Sequence, residues 1–248
     1  MASAAPADEA ADQALVKQGE YVARTGDCIA CHTVNGGKPF AGGLPLQTPV
    51  GTIYATNITP DNDTGIGTWS YDEFVRLMRR GIHRKGYTVY PAMPYPLFSR
   101  MSDDDLKALY AYLMPGVAPV RQANKPPDIV WPLSMRWPPA WWRWLFAPKP
   151  RRFQPPPGAD ARIARGAYQV EVPGHCGACH TPRSFTLQEK ALSSSDGTVY
   201  LSGGGAVDGW IPPSLRDEHG GGLARWSESD VVQLLRTARN RTAGASAA

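Results

Sequence analysis

The sequence predicts an all-α protein of two tandem domains, in which long loops rich in glycine and proline join short helices. Three observations support this prediction. A pentapeptide with two cysteines and a histidine occurs twice, at residues 28–32 and 176–180. A longer helical repeat, at 69–79 and 226–236, has apolar residues at helical spacing in both copies. The 248 residues include 24 prolines and 25 glycines, and this length has room for two domains of about 100 residues each.

Both pentapeptides follow the pattern Cys-x-x-Cys-His, the attachment signature of a c-type haem. The residues are Cys28, Cys31 and His32 in the first copy and Cys176, Cys179 and His180 in the second. Two cysteines three positions apart project from one side of a helical turn, so both thiols can add to the vinyl groups of one haem. The adjacent imidazole then binds the iron. The motifs therefore predict two covalently attached haem c groups, with His32 and His180 as the proximal iron ligands.

Other uses of the four cysteines match the pattern less well. Zinc knuckles built from two Cys-x-x-Cys pairs usually lie about 15–20 residues apart, whereas these pairs lie in opposite halves of the chain. A thioredoxin-like dithiol does not require the following histidine, and structural disulfides would not explain why that histidine is repeated. All four cysteines lie inside the two motifs, so none is left over.

The helices follow in the same order in both copies. A short segment ahead of each haem motif, at 19–22 and 166–170, predicts a first helix, and the helical repeat predicts a later one. The expected N-caps of the later helices are Ser70 and Ser227, with Glu73 and Asp230 three residues further on, as in a capping box. Each copy therefore predicts a helix, a haem motif, a long loop and a second helix.

Only the first copy continues, with a helix from near Ser102 that should stop at the breaker Pro115-Gly116. The predicted divisions are a first domain at 1–122, a linker rich in proline and tryptophan at 123–158, and a second domain at 159–248 that is incomplete at its C-terminus. The first helix of the second domain should lack a packing partner, which would make that domain the less stable one. We expect residues 243–248 to be disordered.

Met93 is the best candidate for the sixth ligand of the first iron. It lies in a loop, at 90–96, that prolines stiffen on both sides, so its thioether can be held against the iron at little entropic cost. The alternative is that Met93 is a packing residue, since methionine readily fills gaps. His–Met ligation raises the haem potential relative to bis-histidine ligation.

The remaining candidates for iron ligation are weaker because of where they lie. They are Met78 and Met101, expected in the core, Met114, expected to close a helix, His83, expected at the surface, His175, beside the second motif, and His219, in a glycine-rich loop. Every methionine precedes Cys176. The second haem is therefore predicted to receive no methionine ligand from this chain.

The charge balance is mild, with 26 Lys and Arg against 22 Asp and Glu and a net charge of +4. Basic clusters at 79–85 and 149–152 are too sparse to indicate nucleic-acid binding. They are interpreted as solvated faces or, alternatively, as an electrostatic landing site for an acidic redox partner. No segment reaches the roughly 20 apolar residues that span a bilayer, and residues 1–13 lack the apolar core of a signal peptide.

The two motifs, the run at 51–61, the run at 90–95 and a tryptophan-rich bridge at 131–146 together resemble a known family. It comprises the cytochrome c subunits of bacterial membrane-bound dehydrogenases, which oxidise alcohols, aldehydes, sugars or gluconate with a quinone or flavin cofactor in a separate subunit. The resemblance runs from about Gly19 to Asn240. Members typically carry three haem domains and a C-terminal membrane-associating segment, so this chain resembles a truncated member. Ala238 stands where the family tends to have glycine.

This resemblance implies two class I cytochrome c domains that relay electrons one at a time. The donor would be the quinone- or flavin-containing dehydrogenase subunit, and the acceptor ubiquinone or a terminal oxidase. The chain would have no catalytic residues and would not be an enzyme by itself. Since haem attachment in c-type cytochromes takes place outside the bacterial cytoplasm, we expect a periplasmic location at the outer face of the cytoplasmic membrane. A leader would have been removed or replaced, and membrane contact would be peripheral or through partners.

Two further questions stay open at the level of sequence. The alternative function is a dihaem enzyme, peroxidase-like or thiosulfate-oxidising, that uses an open site on the second haem; a free electron shuttle is a third possibility. The tryptophan-rich bridge, residues 131–146, holds five of the eight tryptophans. It is interpreted as a packed spacer between the haem domains, as a docking patch for the dehydrogenase, or as a segment at the membrane surface.

Overall fold

The structure is a computed structural model, which describes residues 6–206, 209–216, 222–223 and 225–238. Among these residues the helices are α1 (Pro6–Thr25), α2 (Cys28–Cys31), α3 (Tyr71–Arg80), α4 (Tyr95–Phe98), α5 (Asp103–Leu113), α6 (Trp137–Phe146), α7 (Ala161–Glu171), α8 (Gly177–His180) and α9 (Glu228–Thr237), with a 3-10 turn at Ser194–Asp196. Three short strands complete the elements: β1 (Pro45–Thr48), β2 (Gly51–Tyr54) and β3 (Asp128–Ile129). None of these helices is long and apolar enough to cross a membrane.

The fold is mostly helical, but the all-α prediction is wrong in one respect. The three strands form an antiparallel sheet in the order β1-β2-β3, with Leu46 opposite Ile53 and Gly51 opposite Ile129. Gly51 has φ +128°, and a Cβ there would lie 2.1 Å from the carbonyl oxygen of Asp128. Strands of two to four residues are too short to show an alternating pattern, and the close pairing that Gly51 permits involves a residue far along the chain.

The apolar core of the first half is built where α1 and α5 meet. Its buried side chains from these helices are Val22, Leu106, Leu109 and Leu113, and Phe74, Met78, Phe98 and Met101 join them from other segments. Gly19 lets the two helices approach closely, because a Cβ there would lie 1.9 Å from the carbonyl oxygen of Ala108. The predictions that Met78 and Met101 are core residues are confirmed, and Met114 is the C-cap of α5 as expected.

The predicted helix starts are also confirmed. Ser70 and Ser227 each accept a hydrogen bond from the backbone three residues on, at Glu73 and Asp230, and those carboxylates reach back to the cap. Ser102 caps α5 by accepting from the backbone N–H of Asp105. The capping boxes satisfy backbone donors that would otherwise have no partner at the start of a helix.

The two equivalent helices end differently, and this gives a prediction. Both C-caps are left-handed, at Gly81 with φ 62° in the first copy and at Ala238 with φ 53° in the second. A left-handed alanine costs about 1–2 kcal/mol that glycine avoids. We expect Ala238→Gly to raise the free energy of unfolding by about that amount, measured by urea denaturation followed by circular dichroism.

The matched variant is Gly81→Ala, which should be destabilising. It combines the unfavourable φ with a Cβ 2.6 Å from the ring of Tyr95. A neutral or destabilising Ala238→Gly would contradict the assignment of conformational strain to this cap.

The chain divides into two compact units, Met1–Cys176 and Gly177–Ala248. Helix α7, assigned from sequence to the second domain, lies in the first unit. The Tyr168 hydroxyl donates to the Asp105 carboxylate at 2.6 Å and accepts from the backbone of Ser102, and Glu171 forms a buried ion pair with Arg100 at 2.9 Å. The prediction that this helix lacks a packing partner is therefore wrong, because the start of α5 and the segment before it supply one.

Candidate functional site

The first haem motif forms the single turn α2 and its C-cap. The N–H of His32 donates to the carbonyl oxygen of Cys28 at 2.9 Å, which closes the turn and places both cysteines on one side of it. None of the four cysteines forms a disulfide. Burial raises the pKa of Cys28 to about 12, with a further contribution from the neighbouring Cys31, so this thiol is neutral. The turn thus presents the dithiol and the imidazole together.

The His32 ring is oriented by a backbone carbonyl. Its Nδ1 lies 2.6 Å from the carbonyl oxygen of Thr56, so Nδ1 carries the proton and Nε2 is left with a lone pair for a metal ion. Burial lowers the pKa of His32 below its ordinary value, which favours the neutral imidazole that metals bind. Both effects prepare one ring nitrogen for coordination.

A set of hydrogen bonds holds the loop that carries Thr56 against the motif. His32 O accepts from Gly42 N at 2.7 Å, Gly43 N donates to Ala55 O at 2.8 Å, Phe40 N donates to Thr33 Oγ1 at 3.1 Å, and Ile58 N donates to Phe40 O at 2.9 Å. The loop around Phe40, itself at φ 61°, is thereby fixed between the motif and the Thr56 segment.

The second unit builds the same set of bonds around His180. Its Nδ1 lies 2.8 Å from the carbonyl oxygen of Pro213. The other bonds run from Gly203 N to His180 O at 2.8 Å, from Gly204 N to Pro212 O at 3.0 Å, from Leu201 N to Thr181 Oγ1 at 3.0 Å, and from Leu215 N to Leu201 O at 2.9 Å. Leu201, like its counterpart Phe40, has a left-handed backbone, with φ 59°. Each bond of the first frame thus has a counterpart at the corresponding position of the second.

Several of these partners were missed by reasoning from sequence. Thr56 and Pro213 act through their carbonyl oxygens, which any residue type has, so no sequence signal marks them. A signal did exist for the two hydroxyl acceptors, because Thr33 and Thr181 directly follow the histidine in both motifs. The repeated motif therefore has six residues, Cys-x-x-Cys-His-Thr, because the threonine takes part in the frame in both copies.

Met93 lies half-buried on the apolar cluster that also contacts Cys28. The carbonyl of Met93 accepts from Tyr95 N at 2.7 Å, which tightens the turn between the flanking prolines. The cluster includes the large apolar side chains of Phe40, Ile66, Trp69, Met78 and Phe98. Two cysteines on one turn, an oriented imidazole, a thioether and apolar side chains are the groups that a covalently bound porphyrin requires, so these residues fit a haem c.

The structure places the remaining histidines away from such a role, as far as it describes them. Nδ1 of His175 lies 2.8 Å from Pro173 O, and its ring contacts the edge of Phe98. His219 and its neighbours Asp217 and Glu218 lie outside the described residues, as do residues 243–248. No group of three or more His, Cys, Asp or Glu side chains in the described ranges is arranged to hold a metal ion on its own.

His83 is not the exposed surface residue that the sequence indicated. It stacks on Tyr87 at 4.4 Å, contacts the edge of Trp69 at 4.8 Å, and accepts from the backbone of Lys85. Burial, followed by the nearby cations Lys85 and Arg136, lowers the pKa of His83 to about 4. The side chain packs as a neutral ring.

This packing predicts an acid sensitivity. An unfolded histidine has a pKa of about 6.5, so between pH 6.5 and 4 the unfolded chain takes up a proton that the folded chain does not. Stability should therefore fall as the pH is lowered through this window. We expect His83→Phe to lose less stability than the parent chain between pH 7 and pH 5, measured by urea denaturation. An identical loss in both proteins would contradict the assignment.

The close approach at Gly42 gives a second prediction for this site. Gly42 has φ +78°, and a Cβ there would lie 2.5 Å from the Thr56 carbonyl carbon, whereas Gly36 has φ +74° and open space around it. Gly36→Ala should cost only the strain of a left-handed alanine, about 1–2 kcal/mol. Gly42→Ala should cost about 1–3 kcal/mol more, because the Thr56 backbone must move. Equal costs in thermal unfolding would show that the frame tolerates this displacement.

Comparison with known proteins agrees with the geometry. Residues 16–115 match the family Cytochrome c. The chain is 61% identical over 238 residues to the gluconate 2-dehydrogenase cytochrome c subunit of Pantoea cypripedii, covering 96% of this chain and 54% of that protein. It is 55% identical over 229 residues to the alcohol dehydrogenase (quinone) cytochrome c subunit of Gluconobacter oxydans, covering 92% and 48%. It is also 31% identical over 232 residues to a diheme cytochrome c-type protein of Cereibacter sphaeroides, covering 88% and 71%.

The chain spans about half the length of the dehydrogenase subunits that it matches. Family membership implies covalently bound haem c, and the oriented imidazoles beside the cysteine pairs fit that cofactor. On these grounds the chain belongs to the c-type cytochromes represented by the cytochrome c subunits of bacterial dehydrogenases.

Proposed function

We propose that the chain carries two covalently attached haem c groups. Thioether bonds would come from Cys28 and Cys31 in the first site, and from Cys176 and Cys179 in the second. The main support is the duplicated frame of hydrogen bonds, which orients His32 and His180 in the same way through the carbonyls of Thr56 and Pro213. The same loop geometry around both histidines supports the binding of the same group by both motifs.

The proposed ligands are His32 and Met93 for the first iron and His180 for the second. The haems supply reversible one-electron chemistry when bound. Backbone carbonyls fix the orientation of both imidazoles, and apolar side chains surround the first site, where they would keep water from the iron. Exclusion of water and thioether ligation both favour the reduced state, which suits an electron acceptor.

We further propose that the chain relays electrons from a dehydrogenase catalytic subunit to the respiratory chain, through ubiquinone or a terminal oxidase. Two of the relatives named above are cytochrome c subunits of gluconate and alcohol dehydrogenases, which supports a partner that oxidises such substrates. The substrate chemistry belongs to that partner, and this chain is not an enzyme by itself. The proposed location is the periplasm, at the outer face of the cytoplasmic membrane.

The test is reduction of the haems by the partner. The chain is co-expressed with a candidate dehydrogenase catalytic subunit, purified through a tag on that subunit, and mixed with the alcohol or gluconate donor. We expect co-purification, reduction of both haems in the absorption spectrum, and reoxidation by a ubiquinone analogue. A Cys176→Ser/Cys179→Ser variant should show reduction of one haem. Haems that stay oxidised would contradict the relay proposal. Turnover of peroxide or thiosulfate by the chain alone would favour a dihaem enzyme instead.

A further inference from the structure

The tryptophan-rich bridge carries an apolar stripe that the other described residues of the first unit leave exposed. Trp137, Trp141, Trp144 and Leu145 lie on one face of α6, and their exposed fractions are 53%, 57%, 72% and 54%. The spacing of these four positions follows successive helical turns. An exposed stripe of this kind marks an interaction surface.

The opposite side of α6 is fixed to the body of the first unit. Arg143 Nε donates to Thr88 Oγ1 at 3.1 Å, and the N-cap Arg136 lies over the ring of Tyr87 at 4.2 Å. Just before the helix, the Tyr90 hydroxyl donates to Leu133 O at 3.1 Å. The stripe is therefore held outward by contacts on the other face. Prolines in the first turn do not disturb the helix, since that turn lacks intrahelical N–H partners.

The charge around the stripe has one sign. From Ile129 to Ala159 the sequence contains five cations, Arg136, Arg143, Lys149, Arg151 and Arg152, and no aspartate or glutamate. Lys149 and Arg151 are exposed just beyond the C-terminal end of α6, as is Arg152, which pairs with Asp103 at 3.4 Å. A tryptophan face beside cations is the composition of helices that lie in the interface of an anionic bilayer.

We propose that α6 docks on the surface of a membrane with anionic phospholipid headgroups. The tryptophans would lie at headgroup depth, where their amphipathic rings are favoured, and the cations after the helix would pair with phosphates. Tryptophan is also typical of protein interfaces, and the observation that favours a membrane is the run of cations without an acidic residue beside the stripe. The proposal goes beyond electron relay and does not depend on the haems or on the dehydrogenase.

The test is flotation of the purified full chain with phosphatidylcholine vesicles, with and without phosphatidylglycerol. We expect binding to the anionic vesicles, weakened by added salt. Trp141→Ala/Trp144→Ala should weaken it by about tenfold or more, and Lys149→Glu/Arg151→Glu by a similar factor. Trp210→Ala, at a tryptophan 81% exposed outside the bridge, and Arg80→Glu/Lys85→Glu, at exposed cations elsewhere, should bind as the parent does.

Several outcomes would overturn the proposal. They are no binding of the parent chain to anionic vesicles, equal binding with and without phosphatidylglycerol, and equal losses in the bridge and control variants. Loss of dehydrogenase co-purification in Trp141→Ala/Trp144→Ala with vesicle binding unchanged would assign the stripe to a protein partner instead. Failure of the relay proposal leaves these results unaffected, because vesicle binding needs neither haem reduction nor the partner.

Discussion

Replacing Glu171 by alanine is expected to lower the free energy of unfolding by about 3–5 kcal/mol. Glu171 and Arg100 pair at 2.9 Å with side chains only 3% and 4% exposed, and the Arg100 guanidinium also lies over the ring of Phe153. Removing the carboxylate leaves a buried cation without its counter-charge. Urea denaturation followed by circular dichroism measures the loss.

Two variants serve as controls for this prediction. Glu20→Ala removes one partner of the exposed pair between Glu20 and Arg24, and should change the stability little, because water screens exposed charges. Arg100→Met/Glu171→Leu removes both buried charges and should recover most of the stability. A Glu171→Ala protein as stable as Glu20→Ala would show that the pair is not buried in solution.

Replacing Met93 by alanine is expected to remove the proposed sulfur ligand of the first iron. The visible result should be loss of the near-infrared band of a methionine–iron(III) haem, and a fall in the potential of that haem by on the order of a hundred millivolts. Axial ligands tune haem potentials over roughly 0.8 V, and methionine lies at the high end. Spectroelectrochemistry measures both changes in one titration.

The matched control for Met93 is Met78→Leu. Met78 is a buried core residue on α3, so the substitution keeps an apolar side chain of similar volume there and should leave the spectrum unchanged. If Met93→Ala keeps the band while Met78→Leu loses it, the ligand assignment is reversed. If neither variant changes the spectrum, Met93 is a packing residue.

The parts of the fold that sequence predicted are those encoded locally. The capping boxes at Ser70 and Ser227 and the start of α5 at Ser102 each depend on residues within one helical turn. The haem motifs are local in the same sense. Their spacing alone places two thiols and an imidazole on a single turn.

The parts that sequence missed depend on contacts between distant residues. The partner of α7 is Arg100, and pairing with Glu171 over such a separation leaves no local pattern. The carbonyls of Thr56 and Pro213 orient the imidazoles regardless of side chain. The exposed face of α6 could not be read from composition, since tryptophan is as common in buried contacts as at surfaces.

The most direct test of the account is the number of haems on each chain. The protein is expressed with the haem-attachment machinery of a bacterial periplasm, and intact mass and a haem-to-protein ratio are measured for the parent, Cys28→Ser/Cys31→Ser and Cys176→Ser/Cys179→Ser. The duplicated frame around His32 and His180 predicts two haems on the parent and one on each variant. A parent chain with one haem, or with the mass of the bare polypeptide, would contradict it.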